Sequence, residues 1–272
     1  MTDAVLHRLG GEGPDVLLIH GFGADRMSWL AVAPQMFDFA TVWAVEYAGH
    51  GQAGNNAGDG TPQDLAAAIE AEVGGRLSRP VVVGHSLGGA LALHMAASAT
   101  ADISGLLLLA PAGVAGRPDG GFVDALSGLE DGAAALVVMR RLVVRKTLIT
   151  RRMADTFVET LHADGRRQAL RRIAGALTVA SPPPYPPDVP VVTLWGASDD
   201  IAAPPESAMP GLRVIKGVGH LPHIEAVSEH APNESALEDS ALWARLAAVN
   251  ARRQALKERS AQWSREGVGG DG

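Results

Sequence analysis

Apolar residues in this chain gather into short unbroken runs rather than alternating with polar ones. Runs near 15–19, 41–46, 80–84, 105–110, 189–195 and 211–216 are rich in Val, Leu and Ile, and each has the length of a strand. Strands buried on both faces read this way, so the pattern predicts an α/β fold with a mostly parallel sheet flanked by helices. Helical patterns fall near 27–37, 63–77 and 87–98. The second follows Thr61-Pro62, an N-cap and then a proline at the first helical position. Between Pro111 and Ser181 lies a stretch rich in Leu, Val, Ala and Arg with no strand pattern, read as a helical cap over the strand ends. The proline-rich segment 181–187 returns the chain to the sheet as a stiff linker. The expected division is a core at 1–111 and 187–250, a cap at 112–186 and a C-terminal extension at 251–272, helical and then frayed.

Chemistry concentrates where these runs end. Val81-Val82-Val83-Gly84-His85-Ser86-Leu87-Gly88-Gly89 reads as a strand, a tight turn and a helix, with Ser86 at the apex. A strand that reverses straight into a helix crowds the serine against its neighbours, and glycines at 84 and 88 relieve that clash, leaving the hydroxyl exposed. A serine hydroxyl needs a base, a carboxylate to orient that base, and donors for the oxyanion. Asp199 lies on the loop leaving the strand that ends in Trp195-Gly196, and His220 follows the last strand in Gly219-His220-Leu221-Pro222-His223. The order Ser, Asp, His is that of a triad supplied by three strand ends of one parallel sheet. Asp199 is preferred to Asp200, which suits a cap of the following turn, and His220 is preferred to His223. His20, His50 and His85 are read as supporting residues. Upstream, Val16-Leu17-Leu18-Ile19 runs into His20-Gly21-Phe22-Gly23, a loop able to aim the Phe22 N–H at a carbonyl oxygen, with the Leu87 N–H as the second donor.

HGFG at 20–23, GHG at 49–51, GHSLGG at 84–89, WGASD at 195–199 and GHLPHIE at 219–225 occur in the order found in the α/β-hydrolase superfamily, which the chain resembles over about 14–226. Within it, GLLLLAPAG at 105–113 and the segment that follows are similar to the hydrolase-type domain of the dihydrolipoyl acyltransferase component of acetoin dehydrogenase systems. No counterpart of the lipoyl domain of those fusions is expected within these 272 residues. The resemblance implies an α/β-hydrolase fold with a helical cap insertion, and the triad Ser86, Asp199 and His220. The loop that usually reads Asp-Leu-Pro-Gly-His-Gly-x-Ser is here Glu46-Tyr47-Ala48-Gly49-His50-Gly51-Gln52-Ala53, lacking the proline and the serine.

Composition narrows the chemistry. At 272 residues with 47% hydrophobic content the chain can bury one large core, and the absence of cysteine removes disulfides and thiolate catalysis. No leader-like or membrane-length apolar stretch is visible, so a soluble cytoplasmic protein is expected. A net charge of −7 argues against nucleic acid as a partner. Residues 140–172 nevertheless hold ten Lys/Arg against three acids. That segment reads either as a patch steering an anionic substrate or acidic partner, or as solvated helix faces with local ion pairs. Two motifs are set aside. Gly49–Gly54 fits a dinucleotide fingerprint but is not followed by a helix, and His220-x-x-His223 lacks helical presentation for a metal because of Pro222.

The expected activity is that of a serine hydrolase acting on a small ester, thioester or related carbonyl compound, a carboxylic ester hydrolase above all, without metal or organic cofactor. Three alternatives stand beside it. These are an acyltransferase to a thiol such as dihydrolipoamide or coenzyme A, a carbon–carbon bond hydrolase, and a binding module on the same fold. Phe122, Met139, Met153 and Phe157 are candidate substrate-binding residues, with core packing the competing role. A small acyl compound is the expected partner, with no membrane; a homodimer stays open.

Overall fold

The computed structural model describes residues 2–98, 102–181, 185, 188–206, 209 and 211–226. Seven strands, β1 (Ala4–Gly10), β2 (Asp15–Ile19), β3 (Thr41–Tyr47), β4 (Val81–His85), β5 (Gly105–Leu109), β6 (Val191–Gly196) and β7 (Leu212–Ile215), form one sheet in the order β1-β3-β2-β4-β5-β6-β7. Every pairing is parallel except β1 with β3. The apolar runs explain the layers. Leu17, Ile19, Val82, Leu106 and Leu108 face one cluster with Leu65, Ile69 and Leu91. Their neighbours Val16, Leu18, Val83, Leu107 and Leu109 face another with Trp29 and Met36. Successive side chains point to opposite faces of a strand, so only a continuous apolar run satisfies two buried faces.

Helix α1 (Pro62–Val73) starts where expected, with Thr61 Oγ1 accepting from Asp64 N at 3.1 Å, and stops at Gly74, short of the expected residue 77. Helix α2 (Leu87–Ala97) buries eight of its eleven residues, which accounts for its nearly uniform apolar sequence. Two features depart from the sequence expectation. The edge strand β1 escaped it because Ala4–Gly10 is only half-buried and carries His7 and Arg8. The helix expected at 27–37 is instead two short 3-10 turns, Arg26–Trp29 and Ala33–Met36; Pro34 removes a backbone donor within that span.

The span from 111 to 181 holds four helices, α3 (Gly120–Gly128), α4 (Gly132–Met139), α5 (Arg151–Leu161) and α6 (Arg166–Val179), and no strand among the described residues. Asp119, Asp131 and Thr150 cap the first three, accepting from backbone N–H groups of the first turn. Phe122, Leu126, Val158, Leu161 and Leu170 give this layer its own apolar cluster, which also takes in Ile201 from the loop after β6. Most of the proline-rich linker and the extension at 251–272 lie outside the described residues.

Candidate active site

Ser86 sits between β4 and α2 with φ 50° and ψ −116°, a conformation that costs a non-glycine residue about 1–3 kcal/mol. Neighbouring bonds hold it there: its N–H donates to Leu109 O at 2.9 Å, and its carbonyl accepts from Gly89 N and Ala112 N, each at 2.9 Å. A Cβ on Gly84 would lie 2.4 Å from Gly88 O, and one on Gly88 would lie 2.2 Å from Ile19 O. Glycine is therefore required at both positions, as the crowding argument expected, although the crowding is between helix and strands rather than against the serine.

Ser86 Oγ is 3.0 Å from His220 Nε2, and His220 Nδ1 is 2.7 Å from Asp199 Oδ2. A carboxylate only accepts, which assigns the ring proton to Nδ1 and leaves Nε2 to accept from the serine hydroxyl. Asp199 also accepts from Trp195 Nε1 at 3.1 Å on Oδ2, and from Ile201 N and Ala202 N, both at 2.9 Å, on Oδ1. It thus caps the following turn as well as meeting the histidine. The sequence reading had given that cap to Asp200, and the structure corrects it: Asp200 Oδ2 instead accepts from Arg141 Nε at 3.0 Å. Two acceptor oxygens let one aspartate fill both roles, a sharing invisible in sequence.

Three contacts hold the histidine loop. His220 N donates to Leu142 O at 2.8 Å, His85 Nε2 meets His220 O at 2.8 Å, and Gly219 N donates to Glu225 Oε2 at 2.6 Å. The buried Glu225 carboxylate also accepts from Val144 N at 2.8 Å and Arg145 N at 3.0 Å through Oε1, so it joins the His220 loop to the cap. Nothing in the sequence around Glu225 announces these remote donors. His223 has both ring nitrogens buried without a partner among the described residues, between Trp29 and His85 at ring-centroid distances of 4.7 Å each. Burial pushes its pKa down to about 3, with the neighbouring His220 adding to the effect.

The 20–23 loop is braced in a similar way. Gly23 N donates to His50 Nε2 at 3.0 Å, His50 Nδ1 meets Ala48 O at 2.9 Å, and Tyr47 Oη donates to His20 O at 3.0 Å. Burial, first of all, holds His50 well below its ordinary pKa of 6.5, so its Nε2 stays an acceptor. Behind the loop, buried Glu46 accepts from Arg26 Nη1 at 2.8 Å, Arg26 N at 3.2 Å, Gln52 N at 2.7 Å and faces His7 Nε2 at 3.0 Å. Burial would raise its pKa, but these donors outweigh it and hold the carboxyl below 4.5. Among the described residues, the N–H groups of Phe22 and Leu87 have no acceptor.

A cavity of about 570 Å³ opens beside Ser86 and His220. All four expected substrate-binding residues line it: Phe122, Met139, Met153 and Phe157. Phe122 is also buried in the cap core, whereas Met153 is 42% exposed. Packing and lining thus coincide at Phe122. A smaller cavity of about 210 Å³, lined by Pro62, His94 and Arg117 among others, contains none of the triad candidates.

The model of the alpha/beta hydrolase family matches residues 16–232, and the chain belongs to that family. It is 28% identical over 236 residues to the dihydrolipoyllysine-residue acetyltransferase component of the acetoin cleaving system of Cupriavidus necator, over 82% of this chain and 63% of that protein. The chain thus spans less than two thirds of that relative's length. Among solved structures it is similar to a meta-cleavage product hydrolase from Pseudomonas fluorescens IP01, with a TM-score of 0.68 and 19% identity over 93% of this chain and 95% of the other. An esterase from Exiguobacterium antarcticum matches with a TM-score of 0.69 and 16% identity over 90% and 96%. Among the described residues no helix is long and apolar enough to cross a membrane.

Proposed function

We propose that the protein is a serine hydrolase of carboxylic esters or thioesters, working through an acyl-enzyme. The observation that carries this reading is the hydrogen-bonded relay Asp199–His220–Ser86, at 2.7 and 3.0 Å, ending beside a cavity. Ser86 Oγ attacks the carbonyl carbon while its proton passes to His220 Nε2, and Asp199 stabilises the imidazolium. The N–H groups of Phe22 and Leu87 receive the oxyanion, each such donor being worth about 2.7–4 kcal/mol in the transition state. As the carbonyl carbon releases the alcohol or thiol, His220 returns the proton to it. Water then attacks the ester of Ser86, giving its proton to His220, and the serine leaves with that proton. The four lining residues Phe122, Met139, Met153 and Phe157 shape the space for the acyl or leaving group.

Similarity to the acetoin-system acetyltransferase component supports a second reading, in which a thiol replaces water as the acyl acceptor. Labelling with a fluorophosphonate, beside Ser86→Ala, tests the shared first half: the wild type is labelled and hydrolyses phenyl esters, and the variant does neither. An unlabelled wild type, or substantial hydrolysis by the variant, overturns the reading. Faster acyl-enzyme turnover with dihydrolipoamide, together with thioester product, selects the second reading over the first.

A further inference from the structure

Three arginines of the cap are paired with carboxylates. Arg141 meets Asp119 and Asp200, Arg151 meets Asp155, and Arg167 meets Glu130. Arg166, the first residue of α6, differs. It is partly buried, it lines the cavity that holds Ser86, and among the described residues no carboxylate lies within ion-pair distance of it. Its Nη2 donates to Gly51 O at 2.6 Å, and its Nε is buried with no partner among the described residues. Asp25 is the one carboxylate residue in the cavity lining among the described residues, and its Oδ1 accepts instead from Met27 N at 2.7 Å. The neighbouring ring, His50, is neutral, lowered first by burial and further by Arg166 itself, so it does not repel an incoming anion.

A guanidinium is always charged and presents five donors in a planar fork suited to a carboxylate. In a largely apolar cavity, with no ion-pair partner among the described residues, it sets up a positive potential. We propose that Arg166 is a carboxylate-binding residue, and that the substrate is an ester or thioester carrying a second, ionised carboxyl group away from the scissile carbonyl. The half-ester of a short dicarboxylic acid is the simplest such compound. This rests on the serine hydrolase reading for the chemistry, but the binding site stands on Arg166 and the cavity alone.

The experiment compares kcat/KM for the phenyl half-esters of glutarate and adipate with the phenyl esters of 5-methylhexanoate and 6-methylheptanoate, neutral compounds of the same shape. A second arm places the anion on the leaving group, comparing 4-acetoxybenzoate with 4-acetylphenyl acetate. Wild type should prefer the anion in one arm by at least about tenfold, equivalent to 1.4 kcal/mol, which also shows on which side the carboxylate lies. Arg166→Gln should reduce that ratio to near one. Arg171→Gln, the loss of an exposed arginine on the same helix outside this cavity, should leave the ratio as it is. If Arg166→Gln does not fold, Arg166→Lys serves, with a ratio between those of wild type and unity. Binding of monomethyl glutarate and dimethyl glutarate to Ser86→Ala, read by calorimetry, answers the same question without turnover. An absent fluorophosphonate label with a retained anion preference in binding would therefore remove the hydrolase reading and keep this site. Equal treatment of anionic and neutral compounds by the wild type, or a preference unchanged in the Arg166 variants, overturns the proposal.

Discussion

Glu225→Gln is the sharpest probe of how the cap and the base loop are coupled. The carboxylate receives Gly219 N on one oxygen at 2.6 Å, and Val144 N and Arg145 N on the other at 2.8 and 3.0 Å. A glutamine has the same shape but only one acceptor oxygen. If that oxygen keeps the two cap N–H groups, the amide NH2 faces the Gly219 N–H, donor against donor; turned over, it faces the two cap donors. The first arrangement forfeits one hydrogen bond to a charged acceptor, worth about 1.5–3 kcal/mol, and leaves a buried donor unpaired at about 1–3 kcal/mol. A loss of roughly 3 kcal/mol of stability follows after partial relaxation, or about 6–12 °C in Tm for a chain of this size. Because Gly219 precedes His220, the strain falls on the base, and a shift of about 1 Å there costs on the order of a hundredfold in rate. Urea unfolding gives the stability, and the rate of fluorophosphonate labelling together with kcat and KM on a phenyl ester gives the positioning. The expected signature is a fall in labelling rate and kcat with KM little changed. Stability within about 0.5 kcal/mol of wild type and labelling at the wild-type rate would refute the reasoning.

Other outcomes follow from the same contacts. Asp199→Asn should reduce kcat by roughly four orders of magnitude, since an amide NH2 turned toward Nδ1 favours the wrong tautomer; activity near wild type would remove Asp199 from the relay. Gly88→Ala places a Cβ 2.2 Å from Ile19 O and 2.5 Å from His20 O, so it should lower soluble yield or Tm sharply, and a thermal melt resembling wild type would show that the turn can yield. His223, whose pKa is pushed down from an ordinary 6.5 to about 3, binds a proton in the unfolded chain before it does in the folded one. Its contribution is therefore neutral above pH 6.5 and becomes a loss of stability as pH falls from there toward 3, by about 1.4 kcal/mol per unit. His223→Leu should make the stability–pH slope between pH 6 and 4 shallower by that amount, and an unchanged slope would refute the assignment.

Much of the site was legible because its parts are local. The turn that presents Ser86 is written within a dozen residues, as is the apolar run leading to it. The same holds for the loops carrying Phe22, Asp199 and His220. What escaped was carried by distant partners. The β1 strand pairs along only one edge and is half-buried, so its polar residues hide the strand pattern. The division of labour between Asp199 and Asp200 depends on Arg141, about sixty residues earlier. The Glu225 carboxylate looked like a neighbour of His223 in sequence, yet its donors at Val144 and Arg145 lie some eighty residues away.

Periodicity and glycine placement alone dictated the six inner and far-edge strands β2–β7, the turn at Ser86 and the order of the candidate triad, since backbone preference and burial act over a few consecutive residues. Folding in three dimensions settled the rest: the hydrogen bond between residues 134 positions apart, the carboxylate that braces the cap against the His220 loop, and the cavity in which Arg166 has no ion-pair partner among the described residues. Hydrogen bonds and charge pairing depend on distance in space, and nothing in a linear pattern specifies which remote donor will arrive beside which acceptor.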